Sequence, residues 1–417
     1  MRKLVWFSNC IFQESSIKAT GTWVVAMGRK LQESGECRIS NFAVSDVESI
    51  SSYDQGGIEQ WLLPRSRFGR PESISRKDAA ILADLVERLD PDLVHVWGTE
   101  NFCAAMAADR NFGERPMLLD IQGLLHAYAD VYFGDLTVGE LVGCVGPKEV
   151  VIPKRHLYFR RRDFRQRGEL EKKVIRAFPD ISVQSEWVRF RIEGLNASCR
   201  IHPTGILLRP EFRMAAPWMP PGNGPVRIFT SSSGAHAYKG LHVVLRAFAE
   251  VRRSLPSAVL AIAGNIRGGR MQEGYSRWLD REAVRLGIAG AIEWMGALSG
   301  PEIVEAMRAS HVVVVPSFVE TYCLALAEAM MVGVPTVVSY AGAMPELARD
   351  GESALYFPPG DAVTCAGEIL RLVHDSGLSE AISAKSRETA LIRNDPDAVV
   401  RRQTEIYDRV LAGMRRP

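Results

Sequence analysis

The sequence predicts an α/β protein made of two doubly wound, Rossmann-like domains that face a central cleft. Three observations carry the prediction. The chain has 417 residues, more than one ordinary core needs, since domains run to roughly 100 to 200 residues each. Short β-branched or apolar runs alternate twice over with amphipathic helical patterns, the trace that βαβ units leave in a sequence. Between the two series lies ILLRPEFRMAAPWMPPGNGPV, where Pro and Gly residues from Pro210 to Pro225 break both periodicities and mark a linker.

In the first half, KLVWF, LVHVW, MLLDI and DISVQ read as strands with amphipathic stretches between them. In the second half VRIFT leads to LHVVLRAFAEVRRSL, VLAIAG to YSRWLDREAVRL, IEWMG to PEIVEAMRA, and VVVVP to LALAEAMMVG, with TVVSY closing the series. Domains are therefore expected at 1–209 and 210–395. A last helix, 396–417, is expected to cross back to the first domain.

Composition narrows the function classes. With 47% hydrophobic and 24% charged residues the chain is rich enough in apolar groups to bury a large core. A net charge of +2 is silent on nucleic-acid and membrane binding, which would have to rest on local clustering; no nucleic acid is expected as a partner. The seven cysteines are scattered and never spaced as CxxC, which indicates neither a disulfide framework nor a zinc site and fits a reducing cytoplasm. MRKLVWFSNC reads as a first strand and not as a leader. No apolar run approaches the roughly 20 residues of a membrane span, so any membrane contact is expected to be peripheral.

The chemistry concentrates in ETYCLALAE, Glu320 to Glu328. Ligands of open α/β sheets bind outside the carboxyl ends of the strands, and Val312 to Pro316 reads as an apolar strand that delivers Glu320 to that edge. A helix is expected to begin between Thr321 and Leu324, so its free N–H groups and positive dipole end form an anion site. Eight helical residues span about 12 Å, beyond the ~5 to 9.5 Å that separates the carboxyl pair of a glycosidase. Glu320 and Glu328 are thus expected to grip opposite ends of one long ligand. In TSSSGAHAYKG, Thr230 to Gly240, small residues let a backbone approach a phosphate and Lys239 supplies charge.

Two glutamates at this spacing followed by AMMVGVPTVVS resemble the signature of the large retaining GT-B glycosyltransferase family, family 4 (glycosyl transferases group 1), whose common form is E-x-F-G-x-x-x-x-E-A-M-A-x-G-x-P. Tyr322 and Cys323 stand where that form has Phe and Gly. The resemblance implies a GT-B fold and a retaining, metal-independent transfer of a hexose-type sugar from a UDP- or GDP-sugar, with no cofactor, to a glycan, lipid-linked or small-molecule acceptor. It implies that Glu320 and the 343–346 loop steady the sugar, that Glu328 holds the ribose and that Lys239 holds the diphosphate, with Thr321, Tyr322, Cys323 and Leu324 lining the donor. Gly264, Asn265 and Leu298 in the turn from Gly296 to Ser299 would border the base. The family usually carries an arginine before the lysine; here Ser232, Ser233 and Gly234 occupy that region, so either His236 or serine hydroxyls substitute or phosphate is held more weakly.

In the first half the resemblance places Gly21 and Thr22 against the donor phosphates and Gln122 where many members have a histidine near the sugar. Gln122 has no proton chemistry and is limited to hydrogen bonding; His126, four residues on, is the other candidate. Thr204 and Gly205 lie near the family's usual Asn-Gly turn. The stretch from Lys154 to Arg176, basic with interleaved aromatics, is either a solvated helix face or a contact for anionic headgroups or a phosphorylated acceptor. The DPD triplets at Asp90 to Asp92 and Asp395 to Asp397 read as structural, and no G-x-G-x-x-G, P-loop or GxSxG motif is present. A GT-B epimerase of nucleotide sugars and a catalytically silent partner of a transferase are the alternatives.

Overall fold

The computed structural model describes residues 1–13, 22–69, 74–100, 102–222, 224–267 and 274–413. They form two compact units. The first comprises residues 1–126, 166–209 and 394–417, and the second 127–165 and 210–393.

In the first unit eight strands, β1 (Arg2–Phe7), β2 (Cys37–Ser45), β3 (Ser51–Gln55), β4 (Ile58–Pro64), β5 (Leu93–Trp97), β6 (Met117–Asp120), β7 (Asp180–Val183) and β8 (Arg200–Pro203), run in the order β3-β4-β2-β1-β5-β6-β7-β8. All neighbouring pairs are parallel except β3 with β4. In the second unit, β9 (Arg227–Ser231), β10 (Val259–Ala263), β11 (Ile292–Gly296), β12 (Val312–Val315), β13 (Thr336–Ser339) and β14 (Leu355–Phe357) form a wholly parallel sheet, ordered β11-β10-β9-β12-β13-β14. Numbered from its own first strand this is 3-2-1-4-5-6, the doubly wound dinucleotide-binding order. Strands β5 and β12 are buried along their whole length, as strands covered on both faces are, which accounts for the unbroken apolar run of β12 and for that of β5, interrupted only by His95.

Two expectations require correction. Residues 127–165 belong to the second unit, not to a first domain ending at 209. The reason is a set of buried polar ties: His242, wholly buried, lies 2.5 Å through Nε2 from Asp135 and 2.7 Å through Nδ1 from the Tyr275 hydroxyl, and Arg277 pairs with the buried Glu149. Strands β2, β3, β4 and β14 also went unread. CRISNFAVS hides β2 because Ser40 and Asn41 interrupt its apolar run, yet both are buried and satisfied across the sheet, Ser40 by Glu59 at 2.7 Å and Asn41 by Gln60 at 2.9 Å. The helix Pro396–Gly413 packs in the first unit, where Gln403 accepts from Thr204 at 3.1 Å and Tyr407 meets His95 at 2.9 Å. Gly205 makes room there, because a Cβ would stand 2.9 Å from Val399.

Candidate functional site

Strand order decides where the second unit can hold a ligand. The chain leaves β9 and β12 side by side (Val312 pairs with Ile228 and Val313 with Phe229), and the sheet reverses its direction of growth between them. The loops that follow, 232–240 and 316–323, therefore run together at the carboxyl edge. Phe318 N–H donates to the Tyr238 carbonyl at 2.8 Å. Gly240, at φ +71°, lies so close that a Cβ would come within 2.1 Å of the Pro316 oxygen. Side by side, the two loops bring Lys239 Nζ to 2.7 Å from Glu320 Oε1, which also accepts from the Ser317 hydroxyl at 2.7 Å.

This pair is mostly enclosed, with side-chain exposures of 21% for Lys239 and 12% for Glu320. Burial opposes the lysine charge, but Glu320, Tyr238 and Tyr128 outweigh it and hold the ammonium above the ordinary lysine value. Lys239 therefore stays charged, with Glu320 as its partner. Tyr128 and Tyr238 stack at 5.3 Å and 8° beside it, and the Tyr128 hydroxyl is hydrogen-bonded with Thr321. Sequence reasoning missed Tyr128, Tyr238 and Ser317; the only available signal for Tyr238 was its place inside the phosphate loop.

Cys323 precedes the helix Leu324–Val332 and takes φ +81°, ψ 83°. That backbone region suits glycine, and a residue with a Cβ there costs of order 1–3 kcal/mol. The strained turn is held from outside: Ala343 N–H donates to the Glu320 carbonyl at 2.9 Å, and Gly342, at φ +56°, packs so tightly that a Cβ would fall 2.2 Å from the same oxygen. Burial first, then Glu320 and Glu328, push the Cys323 thiol well above its usual range. Tyr322 is pinned by Arg393, whose guanidinium lies 5.9 Å from the ring and donates to the Leu347 carbonyl at 2.7 Å. The helix itself is apolar on every side and buried from Leu326 to Val332 except for one charged member, Glu328.

In the phosphate loop the Ser232 hydroxyl donates to the Gly234 carbonyl at 2.7 Å, while Ser233 is exposed. Ser232 is therefore turned into its own loop and is not presented as a phosphate donor. His236 does not replace the missing arginine as a cation: burial, with the nearby Arg160 and Lys239, holds it neutral, its pKa lowered to about 4. Gly264, at φ +119°, abuts the Ser232 carbonyl, where a Cβ would come within 1.7 Å, and donates through its N–H to Gly296 at 2.7 Å. The two turns expected to border a base are thus in contact, with Leu298 half-buried and Asn265 exposed.

The first unit gathers a second group. Gln122 follows β6, and His126 lies in the short helix Leu125–Asp130. The buried Glu171, from the helix Leu157–Ala177, lies 2.6 Å through Oε1 from His126 Nδ1 and accepts from the backbone N–H of His126 (3.1 Å) and Leu125 (3.0 Å) and from the Thr99 hydroxyl (2.7 Å). Gly168 permits this approach, since a Cβ would stand 2.9 Å from His126 Cα. Asp120, bonded to Ser182 and Gln184, is pushed by burial to a pKa of about 7. Glu171 was hidden in the basic run; its signal was its phase, three and four residues before the buried Val174 and Ile175. Gly21 lies outside the described residues, and Thr22 opens the helix Thr22–Glu33.

Comparison with known proteins adds the family. The family model described as glycosyl transferases group 1 matches residues 221–389. That part of the chain belongs to this family. The chain also matches a D-inositol 3-phosphate glycosyltransferase from Stackebrandtia nassauensis, 32% identical over 154 residues, 36% of this chain and 35% of that one. The chain thus spans about a third of the length of the curated relatives it matches. Among solved structures, sucrose-phosphate synthase from Thermosynechococcus elongatus superposes with a TM-score of 0.72 over 99% of this chain and 100% of that one, at 16% identity. Anabaena HepE in complex with UDP and glucose gives 0.67 over 97% and 99%, also at 16%. These likenesses extend beyond the group 1 region and show that the chain has the GT-B fold.

Proposed function

We propose that the chain is a retaining, metal-independent glycosyltransferase that moves a hexose-type sugar from a UDP- or GDP-sugar to a glycan, lipid-linked or small-molecule acceptor in the cytoplasm. The observation that carries the reading is the Lys239–Glu320 pair, set at 2.7 Å where the group 1 sheet reverses and directly before a buried helix that bears Glu328. A cation, a carboxylate and free helix amides at one sheet edge match the diphosphate, the sugar hydroxyls and the ribose of a nucleotide sugar. That HepE was solved with UDP and glucose supports the donor class.

On this reading the incoming diphosphate becomes a partner of Lys239, and Glu320 turns to the sugar hydroxyls. Glu328 accepts from the ribose, and the Gly264–Gly296 turns border the base. The bond from the anomeric carbon to the diphosphate oxygen breaks, a bond to the acceptor oxygen forms on the same face, and the acceptor proton passes to the departing diphosphate. Lys239 stabilises the charge that this departure develops. Gln122 and His126, the latter oriented by Glu171, are the proposed groups of the first unit.

The test is incubation of the pure protein with labelled UDP- and GDP-hexoses and simple acceptors in the presence of a chelator, with the anomeric configuration of the product read by NMR. Transfer with retention supports the reading. An epimerised donor without acceptor identifies an epimerase, and nucleotide binding with neither hydrolysis nor transfer identifies a silent partner; either outcome overturns it.

A further inference from the structure

Scattered apolar side chains on a surface are ordinary, whereas their concentration marks an interaction site. Among the described residues, seven of the fifteen exposed large apolar side chains fall between positions 138 and 159. Val138 and Val142 stand one turn apart on the helix Val138–Gly143, 78% and 66% exposed; Val150 and Val151, 69% and 79% exposed, end the helix Pro147–Val151; Tyr158 and Phe159 open the long helix Leu157–Ala177.

The exposure is built in, because the underside of the same segment is anchored. Cys144 is buried with its carbonyl so close to Gly274 that a Cβ there would come within 1.8 Å, Arg281 donates to the Gly143 carbonyl, and Glu149 both caps Gly146 N–H and pairs with Arg277. Cys144 and Leu157 serve the interior. The outward valines are additional to that packing.

Charge selects the occupant. Between 138 and 165 seven basic residues face three acidic ones. Two of the acids are consumed inside the unit, Glu140 by Thr137 and Arg246 and Glu149 by Arg277. Lys148, Lys154, Arg162 and Arg165 are exposed in the same segment as the apolar residues. We infer that this segment is a docking surface for an anionic lipid bilayer, with the valines and aromatic rings seated at the acyl boundary and the cations at the headgroups. Five of the seven exposed apolar side chains are aliphatic and supply no stacking face for nucleic acid, and a like-charged surface repels a second copy of itself. A surface that combines apolar and basic groups is what an anionic membrane interface binds. The site lies at the start of the basic stretch and N-terminal to it; from residue 166 onward the helix belongs to the first unit and turns Glu171, Val174 and Ile175 inward.

The inference stands apart from the donor site, so it is tested without turnover. The full chain is floated with vesicles of phosphatidylcholine alone and with added phosphatidylglycerol, at low and high salt. Binding to the anionic vesicles alone, weakened by salt, is expected, with partition reduced at least about tenfold in the Val150→Asp/Val151→Asp variant and less in Lys154→Glu/Arg162→Glu. UDP affinity and thermal midpoint, unchanged in these variants, certify that each is folded. The inference is overturned if wild type does not float with anionic vesicles at low salt, if the aspartate variant floats equally well, or if sedimentation shows that the valines hold a dimer together.

Discussion

His126 Nδ1 and Glu171 Oε1 lie 2.6 Å apart, joined across 45 residues by a carboxylate that also receives two backbone amides and a threonine hydroxyl. Glu171→Ala would leave those buried donors without their acceptor, at a cost of about 2 to 4 kcal/mol. Hydrogen exchange is the direct readout. The amides of Leu125 and His126 are expected to lose protection first, and Glu171→Gln, which keeps an acceptor oxygen, to retain part of it.

At the proposed donor site, Lys239→Ala is expected to weaken the binding of a UDP-sugar by about 10- to 100-fold, the worth of one charge-assisted contact. Unchanged calorimetric affinity would remove Lys239 from the diphosphate clamp.

Glu320→Gln leaves that lysine partly buried without its counter-ion, which lowers stability by about 1 to 3 kcal/mol once solvent screening of a partly exposed pair is allowed for. The folded state raises the lysine pKa, so the stabilisation is complete below the unfolded value of roughly 10.4 and fades only as pH rises through the raised one. Urea denaturation across the neutral range should therefore show a constant offset between wild type and variant. An offset that changed steeply near neutrality would contradict this assignment.

Cys323→Gly relieves the backbone at φ +81° and is expected to stabilise the protein by up to about 1 kcal/mol, with Cys323→Val destabilising it. Thermal midpoints of the two variants should move in opposite directions from wild type.

His236 contributes an acid sensitivity. Its folded pKa, lowered by burial to about 4, lies below the unfolded value, so the unfolded chain takes up the proton first. Stability from this group is complete above the unfolded value of roughly 6.5 and falls as pH drops towards 4, by at most about 3 kcal/mol. His236→Gln should flatten the difference in urea midpoint between neutral and mildly acidic buffer. A variant as acid-sensitive as wild type would show that the imidazole is not enclosed.

What the sequence disclosed depended on whether the determining contacts were local. VVVVP and LVHVW announced β12 and β5 because strands covered on both faces are mainly apolar, with His95 the one polar member. CRISNFAVS stayed hidden because Asn41 is satisfied by Gln60 on another strand and by the Cys10 carbonyl, partners that only the folded sheet brings near. In the same way Glu320 and Lys239 were visible as residue types at the ends of strands, while their mutual pairing required knowing that β9 and β12 are neighbours. His236 looked like a substitute cation; its burial beside Arg160 and Lys239, invisible in a string of letters, makes it the opposite. Glu171 and Tyr128 come from segments whose apparent character was basic or helical, and the fold turns single side chains of each inward.

The Lys239–Glu320 pair also bears on which anions the site refuses. A cation already neutralised at 2.7 Å by its neighbour presents little field to a passing phosphate, and capturing one would strand a mostly buried carboxylate. Inorganic phosphate has nothing to offer Glu320 in return. On the proposed reading a nucleotide sugar does, because its diphosphate takes the lysine while its hydroxyls take the glutamate. After transfer the sugar is gone, and re-formation of the pair favours release of the spent nucleotide. The ion pair would then act as a selectivity latch, opened by a ligand that satisfies both ends.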